Sequence, residues 1–298
     1  MDLDQHRGEL LAFCYRMCGS FHEAEDLVQE TLLRAWKARD RYDADRASVR
    51  TWLYRIATNV CLTELKGSTR RPLPSGLGAP STDPEAPLTP AMDIPWLEPF
   101  PDARLDVHLR THLRLAWIAA VQVLPARQRA VLILREVLEF SAAEVAALLE
   151  TTVAAVNSAL QRSRAAVAEA GHADELREPD DPGVRAVIGR YVQAFEAADV
   201  PALVSLLADD AVMEMPPVPL WYRGRTFYGL FLERVFRMRG QGWRMRTLTA
   251  NGQLALAAYA PDRTLHSLQV FTVLDGRVTE NVVFADPRTL TAFDLAVA

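Results

Sequence analysis

Prolines between residues 72 and 101 constrain this chain more than any other feature. Nine of them fall in that segment. Proline lacks a backbone N–H group and fixes φ, so neither a continuous helix nor a central strand is expected there. Residues 72–108 also carry six acidic side chains and one basic side chain, Arg104. We therefore predict an extended acidic linker over residues 72–105, kept semi-rigid by its prolines.

The sequence on both sides of this linker has the periodicity of α-helices. It predicts two all-α domains, over residues 1–71 and 106–172. A second break, Glu178-Pro-Asp-Asp-Pro-Gly183, precedes a region with a different pattern. We predict that this last region, residues 183–298, is a separate domain.

The C-terminal region begins with two predicted helices, at roughly 184–198 and 200–208, and strand patterns follow. Asn251-Gly252 and Asp275-Gly276 each separate two apolar, β-rich runs. Such dipeptides are the strongest short-range signal of a β-hairpin. Helices followed by antiparallel strands predict an α+β domain.

The bulk composition limits the classes of function. The chain has 298 residues and a net charge of −5, so DNA contacts must come from local basic patches. Cys14 and Cys18 lie one helical turn apart without a nearby pair of histidines, and we expect neither a metal nor another cofactor. The N-terminus lacks a basic and apolar leader, and no apolar run reaches ~20 residues. We expect a cytoplasmic protein without a membrane segment.

Residues 23–36 predict an amphipathic helix with a charged outer face. We expect its buried stripe to consist of Val28, Leu32, Ala35 and Trp36. A solvated charged face is the simpler interpretation, but the run from Glu25 to Thr31, with Arg34-Ala-Trp36 after it, resembles the core-binding helix of a sigma factor. This resemblance implies that the helix docks on bacterial core RNA polymerase. The implied contact residues are Glu25, Asp26, Leu27, Gln29 and Glu30.

Basic and aromatic residues are concentrated in the next predicted helix. Residues 41–71 contain seven basic and three acidic side chains, a local charge of +4. Trp52-Leu-Tyr-Arg-Ile-Ala57 with Asn59 resembles the segment by which sigma factors melt and read the −10 promoter element. An ordinary helix with a normal polar face and a structural tryptophan is the alternative, and we still expect Trp52 to be partly buried. The resemblance implies DNA contacts from Arg50, Trp52, Arg55, Asn59, Lys66 and Arg70.

A short helix, a three-residue turn and a longer helix are predicted between residues 141 and 169, which is helix-turn-helix geometry. The outer face of the longer helix carries Asn, Gln, Ser and Arg, which suit the major groove. An ordinary helical hairpin is the alternative. The run from Leu124 to Val131 and the run from Ser141 to Leu149 resemble the C-terminal domain of the sigma-70 family. The implied residues for the −35 element are Arg127, Arg129, Thr152, Asn157, Ser158, Gln161, Arg162 and Arg164.

One residue departs from that family pattern. Glu150 stands at the turn where the family usually has Gly, which reaches positive φ without strain. We therefore expect a slightly different or strained turn. Together the two helical domains resemble the extracytoplasmic-function group of sigma factors, over roughly 9–71 and 117–168.

The C-terminal domain resembles the SnoaL-like, ketosteroid-isomerase-like cone over about 184–290. This fold wraps a curved sheet around an apolar pocket. The implied pocket residues are Tyr191, Phe195, Met213, Trp221, Trp243 and His266. Their simpler role is ordinary core packing. Asp209 and Asp210 are expected to face water, and no paired acid and base is evident.

We therefore predict a non-enzymatic transcription initiation factor whose C-terminal domain regulates the sigma module. Its partners would be core RNA polymerase and promoter DNA, and a small-molecule ligand or an anti-sigma partner stays open. A bifunctional protein with an isomerase or cyclase domain is an alternative. A plain helix-turn-helix repressor is a third, but a repressor has no need of the charged face on residues 23–36.

Overall fold

The computed structural model describes residues 3–67, 70–110, 112–169 and 179–295. The chain divides into two compact units, each made from two separate stretches of sequence. The first unit combines residues 1–71 with 103–172, and the second combines residues 72–102 with 173–298. Residues 72–102 of the predicted linker are thus part of the same unit as the C-terminal domain.

The first unit begins with three helices that surround a common core. Ser20 and Ser48 cap the second and third of them by accepting hydrogen bonds from backbone N–H groups, each at 3.1 Å. The first helix is buried from Leu10 to Cys18, because the other two pack around it. The three helices are α1 (Arg7–Cys18), α2 (Phe21–Ala38) and α3 (Val49–Glu64).

Four further α-helices complete the first unit, with one π-helical turn, Ile133–Val137, between the second and third of them. Ser141 and Glu144 form a capping box, in which each side chain accepts a hydrogen bond from the other's backbone N–H group. Glu150 lies in the turn between the last two helices at φ +50°, the left-handed conformation. The four helices are α4 (Leu115–Gln122), α5 (Ala126–Leu132), α6 (Ala142–Leu148) and α7 (Val153–Glu169).

The two helical domains pack against each other within the first unit. The rings of Tyr54 and Phe140 meet edge to face with centroids 5.5 Å apart. Arg55 on α3 pairs with Glu150 at the α6–α7 turn, at 3.2 Å. Direct side-chain contacts therefore join the two helical domains in this structure.

The second unit contains a mixed six-stranded sheet in the order β2-β1-β6-β5-β4-β3. β1 pairs with β6 in parallel, and the other neighbours are antiparallel. The strands are β1 (Leu207–Glu214), β2 (Trp221–Arg223), β3 (Arg244–Ala250), β4 (Gln253–Tyr259), β5 (Leu265–Leu274) and β6 (Arg277–Phe284). The helices are α8 (Pro182–Glu196), α9 (Val200–Ser205), α10 (Arg225–Arg239) and α11 (Pro287–Thr291).

Both predicted hairpin turns are confirmed. Asn251 and Gly252 have φ values of 56° and 64°, and Asp275 and Gly276 have 49° and 72°. Two consecutive positive φ values match the right-handed twist of the flanking strands. The two turns join β3 to β4 and β5 to β6, so the last four strands form the predicted antiparallel meander.

The linker segment, defined here as residues 72–102, packs on the C-terminal domain instead of extending into solvent. The N–H groups of Ser81 and Ala91 donate to the carbonyls of Trp221 and Pro217, at 2.8 and 2.9 Å. At its far end, the N–H of Phe100 donates to the side chain of Asn251 at 2.7 Å. Prolines remove donors only at their own positions, so the N–H groups between them are available to bond another domain.

The described residues also include 3₁₀ turns at Asp4–His6, Arg39–Arg41, Pro74–Gly76, Asp102–Arg104 and Val107–Leu109. Within the described ranges no single helix is long and apolar enough to cross a membrane, and only the bent pair α6 and α7 passes that test of length and composition jointly. Among the same residues, no group of three or more His, Cys, Asp or Glu side chains is arranged to hold a metal ion.

Candidate functional site

The outer face of α2 presents most of the predicted polymerase-binding residues. Asp26 and Gln29 are exposed, and Glu25 and Glu30 are half-buried. Glu30 pairs with Arg34 at 2.6 Å along the helix. Leu27 is only 4% exposed and packs in the core, so its predicted role in direct contact is corrected.

The buried stripe of α2 is rotated from the predicted one. Trp36 was expected to be buried but is 58% exposed, with the guanidinium of Arg39 4.2 Å from its ring centroid. Thr31 is fully buried because its hydroxyl donates to the Leu27 carbonyl at 2.7 Å. Leu33 is 45% exposed, so this face combines carboxylates with two large apolar side chains. Exposed apolar groups beside charges are typical of a protein–protein contact.

The predicted −10 surface lies on and after α3. Asn59, Lys66 and Arg70 are exposed, and Trp52 is half-buried against Tyr42, with ring centroids 5.1 Å apart. The expected partly buried tryptophan is therefore found. The exposed groups offer the phosphate and base contacts that single-stranded DNA requires.

Two of the predicted −10 arginines have partners within the first unit. Arg50 pairs with Glu9 at 2.9 Å and lies 5.0 Å from the ring centroids of both Tyr54 and Phe140. Arg55 pairs with Glu150. Each contact competes with DNA for that guanidinium.

The outer face of α7 carries the predicted −35 residues. Asn157, Ser158, Gln161 and Arg162 are exposed along one side of the helix. The Thr152 hydroxyl accepts from the Ala155 N–H at 3.1 Å and caps the helix. This arrangement is the one expected of a recognition helix in the major groove. Arg164 is also exposed but forms an ion pair with Glu136.

Arg129 is the main correction to the predicted DNA-binding set. It is 5% exposed, and its guanidinium donates to Gln122 Oε1 at 2.7 Å and to the Gln122 and Leu124 carbonyls at 3.1 and 3.0 Å. It also donates to the Met17 carbonyl at the end of α1. Desolvation lowers its pKa to about 10, so the side chain stays charged at neutral pH. Arg129 therefore joins the two helical domains.

Arg127 differs from its neighbour because it is exposed. Its guanidinium donates to the Leu149 carbonyl at the end of α6. It stays a predicted phosphate contact beside the helix-turn-helix.

The C-terminal unit encloses a cavity of about 380 Å³, within the range of small-molecule sites. The predicted residues that line it are Tyr191, Phe195, Met213, Trp243 and His266. Trp221 does not line it, which corrects that assignment. Its indole N–H instead donates to the Gly78 carbonyl of the linker segment at 3.0 Å.

A chain of hydrogen bonds crosses the cavity wall, and sequence reasoning missed part of it. The hydroxyls of Tyr191 and Tyr228 are 3.2 Å apart, and the Asn281 amide donates to Tyr228 at 2.6 Å and to Gln269 Oε1 at 3.1 Å. Burial raises the pKa of Tyr191 and brings that of Tyr228 to about 12, so both hydroxyls stay neutral. The sequence signal for this network was one amide side chain on each of two strands, Gln269 on β5 and Asn281 on β6.

Acidic groups are placed away from this wall. Asp209 and Asp210 are exposed, as predicted. Glu214 is buried, and desolvation together with the charge of Glu280 raises its pKa to about 7, but neither residue lines the cavity. Asp286 does line it, and its carboxylate caps α11 by accepting from the Thr289 N–H at 2.9 Å.

Three known families match successive parts of the chain. Residues 3–71 match Sigma-70 region 2, residues 114–167 match Sigma-70 region 4, and residues 188–281 match the SnoaL-like domain. The crystal structure of the Mycobacterium tuberculosis extracytoplasmic function sigma factor SigJ has a similar fold. Its TM-score is 0.67 at 23% identity, with 99% of this chain and 100% of that chain covered.

Sequence relatives extend over most of the chain. It is 46% identical over 305 residues to the ECF RNA polymerase sigma factor SigG of Mycobacterium tuberculosis, covering 98% of this chain and 82% of that protein. It is 31% identical over 213 residues to SigJ of the same organism, covering 68% and 60%. Both sigma-70 regions match in order, and the similarity to SigG continues through the domain that contains the cavity. The chain therefore belongs to the ECF group of RNA polymerase sigma factors and carries a SnoaL-like domain.

Proposed function

We propose that this sigma factor binds core RNA polymerase through the outer face of α2, contacts the −10 element through α3 and reads the −35 element through α7. We also propose that its SnoaL-like domain regulates these steps by holding the linker segment. The observation that carries the regulatory proposal is the set of hydrogen bonds from that domain to residues 75–100. Because this segment joins the two helical domains in sequence, its docking limits how far they can separate.

The closed arrangement of the first unit supports a regulated factor. Arg129 bonds the end of α1, and Arg55 pairs with Glu150 across the same contact. A factor that reads two promoter elements at once needs its helical domains apart, since the elements are separated along the DNA. Undocking of the linker segment would supply the free length for that separation.

Run-off transcription with purified core polymerase tests the regulatory role. The full chain is compared with a chain that ends at residue 178. We expect the two to differ in transcript yield from the same promoter, because the truncated chain lacks the surface that holds the linker segment. Equal yields together with equal polymerase affinity would contradict the proposal.

Charge reversal tests the polymerase contact. We expect Asp26→Lys and Glu30→Lys to weaken binding to core polymerase, since each replaces an accessible carboxylate on the proposed surface. Glu233→Lys is the matched control, because it makes the same change of charge at an exposed position on α10. Pull-down affinity equal to that of the control would refute the assignment.

We infer that the SnoaL-like domain binds and does not catalyse. The hydroxyls and amides of Tyr191, Tyr228, Asn281 and Gln269 are neutral groups, while a proton-abstracting enzyme needs a base aimed at its substrate. His266 also lines the cavity, with its ring 5.1 Å from that of Trp243, and is the group that a catalytic role would have to use as its base. The carboxylate of Asp286 is engaged in capping α11. Turnover of a hydrophobic ketone by the purified chain would overturn this inference.

A further inference from the structure

The linker segment forms one wall of the cavity. Leu88, Pro90 and Met92 line it together with residues of the sheet and Met238 of α10. Leu88 is 36% exposed, Met92 68% and Met238 55%. Each of these large apolar side chains therefore keeps much of its surface exposed to solvent. An apolar molecule placed there would bury all three surfaces at once.

Arg234 connects the cavity to the linker segment. Its side chain lines the cavity and is 8% exposed, and its Nη1 donates to the Pro84 and Ala86 carbonyls at 2.8 and 2.7 Å. Arg237, one turn further along α10, pairs with Glu85. The residues just before Leu88 are therefore fixed to the same helix that forms part of the cavity.

The wall formed by the sheet offers one unused hydrogen-bond acceptor. Asn281 is 1% exposed, and its Oδ1 has no hydrogen-bond partner among the described residues. Its amide N–H groups are engaged by Tyr228 and Gln269. A buried acceptor without a donor is unfavourable, so a ligand that brings a hydroxyl or N–H to this atom gains affinity. Asn281 and its bonded neighbours are uncharged, so the group that meets Oδ1 is a neutral donor, although Arg234, Arg239 and Asp286 also line the cavity.

We propose that the cavity binds a neutral, mainly apolar molecule with one hydroxyl or N–H group. Its donor bonds Asn281 Oδ1, and its apolar body lies against Leu88, Pro90 and Met92. A molecule that contacts both walls binds the docked state of the linker segment better than the undocked state. By thermodynamic linkage it must then stabilise docking. This inference rests on the proposed regulatory function and identifies the class of ligand that controls it.

The test uses the full chain with 1-decanol as probe, and with decane and decanoate as matched molecules of the same chain length. We expect decanol to bind at least about ten-fold more tightly than either, because decane lacks the donor and ionised decanoate offers no proton. Tryptophan fluorescence measures binding, since Trp243 lines the cavity. Equal affinity for all three probes, or binding of none, would overturn the ligand class.

Hydrogen exchange measures the coupling. Decanol is expected to slow exchange at the Ser81 and Ala91 amides, which bond the C-terminal domain. Exchange unchanged at saturating decanol would overturn the coupling.

Two variants locate the site. Asn281→Leu should lower decanol affinity about ten-fold and bring it to that of decane. Met92→Ser should weaken binding and reduce the protection of the linker segment, and it is expected to fold because Met92 is exposed. Wild-type affinity in Met92→Ser would overturn the proposed contact with the linker.

The truncation experiment separates the two levels of inference. If the chain ending at residue 178 differs in transcription while decanol does not bind, the regulatory function stands and the ligand inference fails. If truncation has no effect on transcription or polymerase binding, the regulatory function itself fails, whatever the probe does.

Discussion

Replacing Glu214 by glutamine should remove a pH dependence from the stability of the second unit. This carboxyl on β1 is 1% exposed and accepts a hydrogen bond from the Ser75 N–H of the linker segment at 2.6 Å. Burial first, and the charge of Glu280 second, raise its pKa from 4.5 to about 7, while the bond from Ser75 opposes that shift. The ionised form is therefore less stable in the folded unit than in the unfolded chain.

The magnitude follows from this shift. Each pKa unit corresponds to ~1.4 kcal/mol, so a rise from 4.5 to about 7 corresponds to about 3 kcal/mol. Because the folded pKa is the higher one, the contribution is fully present below the unfolded pKa and is lost as pH rises through about 7. Between pH ~5 and pH ~8, Glu214 should cost the second unit about 2–3 kcal/mol.

Native-state hydrogen exchange of the β4 and β5 amides in the full chain measures this effect. The free energy of opening in Glu214→Gln is compared with the natural chain at both pH values. Because the variant and the natural chain are compared at the same pH, their intrinsic amide exchange rates are equal and cancel. We expect Glu214→Gln to gain about 2–3 kcal/mol relative to the natural chain between pH ~5 and pH ~8.

The control is Glu233→Gln, which changes an exposed carboxyl in the same unit. The difference in free energy of opening between Glu233→Gln and the natural chain should change by much less than about 2–3 kcal/mol between the two pH values. If the Glu214→Gln difference is the same at both pH values, burial of Glu214 does not govern its ionisation and the reasoning is refuted.

Four further substitutions test the first unit. Arg129→Met should destabilise it by ~2–4 kcal/mol, because buried oxygens of both helical domains lose their donor, and urea unfolding that matches the natural chain would contradict this. Gln161→Ala or Arg162→Ala should cost roughly 1–3 kcal/mol of promoter affinity and relax base preference at one position, which run-off transcription on a −35 library detects. If base preference is unchanged in a variant, the substituted residue does not read the −35 element. Glu150→Gly should raise the free energy of unfolding by ~0.5 kcal/mol, because relief of the left-handed backbone strain exceeds the loss of an exposed ion pair. A lower free energy of unfolding in this variant would refute the argument.

Local signals in the sequence were sufficient for the secondary structure and the families. The capping box at Ser141 and the two hairpin turns depend on side chains and φ values within four residues of one another. Such short-range interactions are encoded where they occur, so they can be read without a tertiary model. The exposed polar faces of α2 and α7 follow from helical periodicity in the same way.

Periodicity was less reliable where several faces of a helix are apolar or where a polar group is buried. On α2 it placed Trp36 inside and left Thr31 unnoticed, because a hydroxyl that bonds its own helix is buried at little cost. Arg129 has the sequence appearance of a phosphate-binding residue. Its burial depends on oxygens from residues 17, 122 and 124, whose convergence is a property of the fold.

By itself the sequence determined the number of helical domains, the helix-turn-helix, the hairpins and membership of the sigma-70 and SnoaL-like families. It also determined that residues 72–102 form neither a long helix nor a central strand, because proline acts on its own backbone. Only the tertiary structure decided where that segment lies. Its partners, Trp221, Arg234 and Asn251, are more than a hundred residues away, and contacts over such separations depend on the assembled sheet and not on local composition.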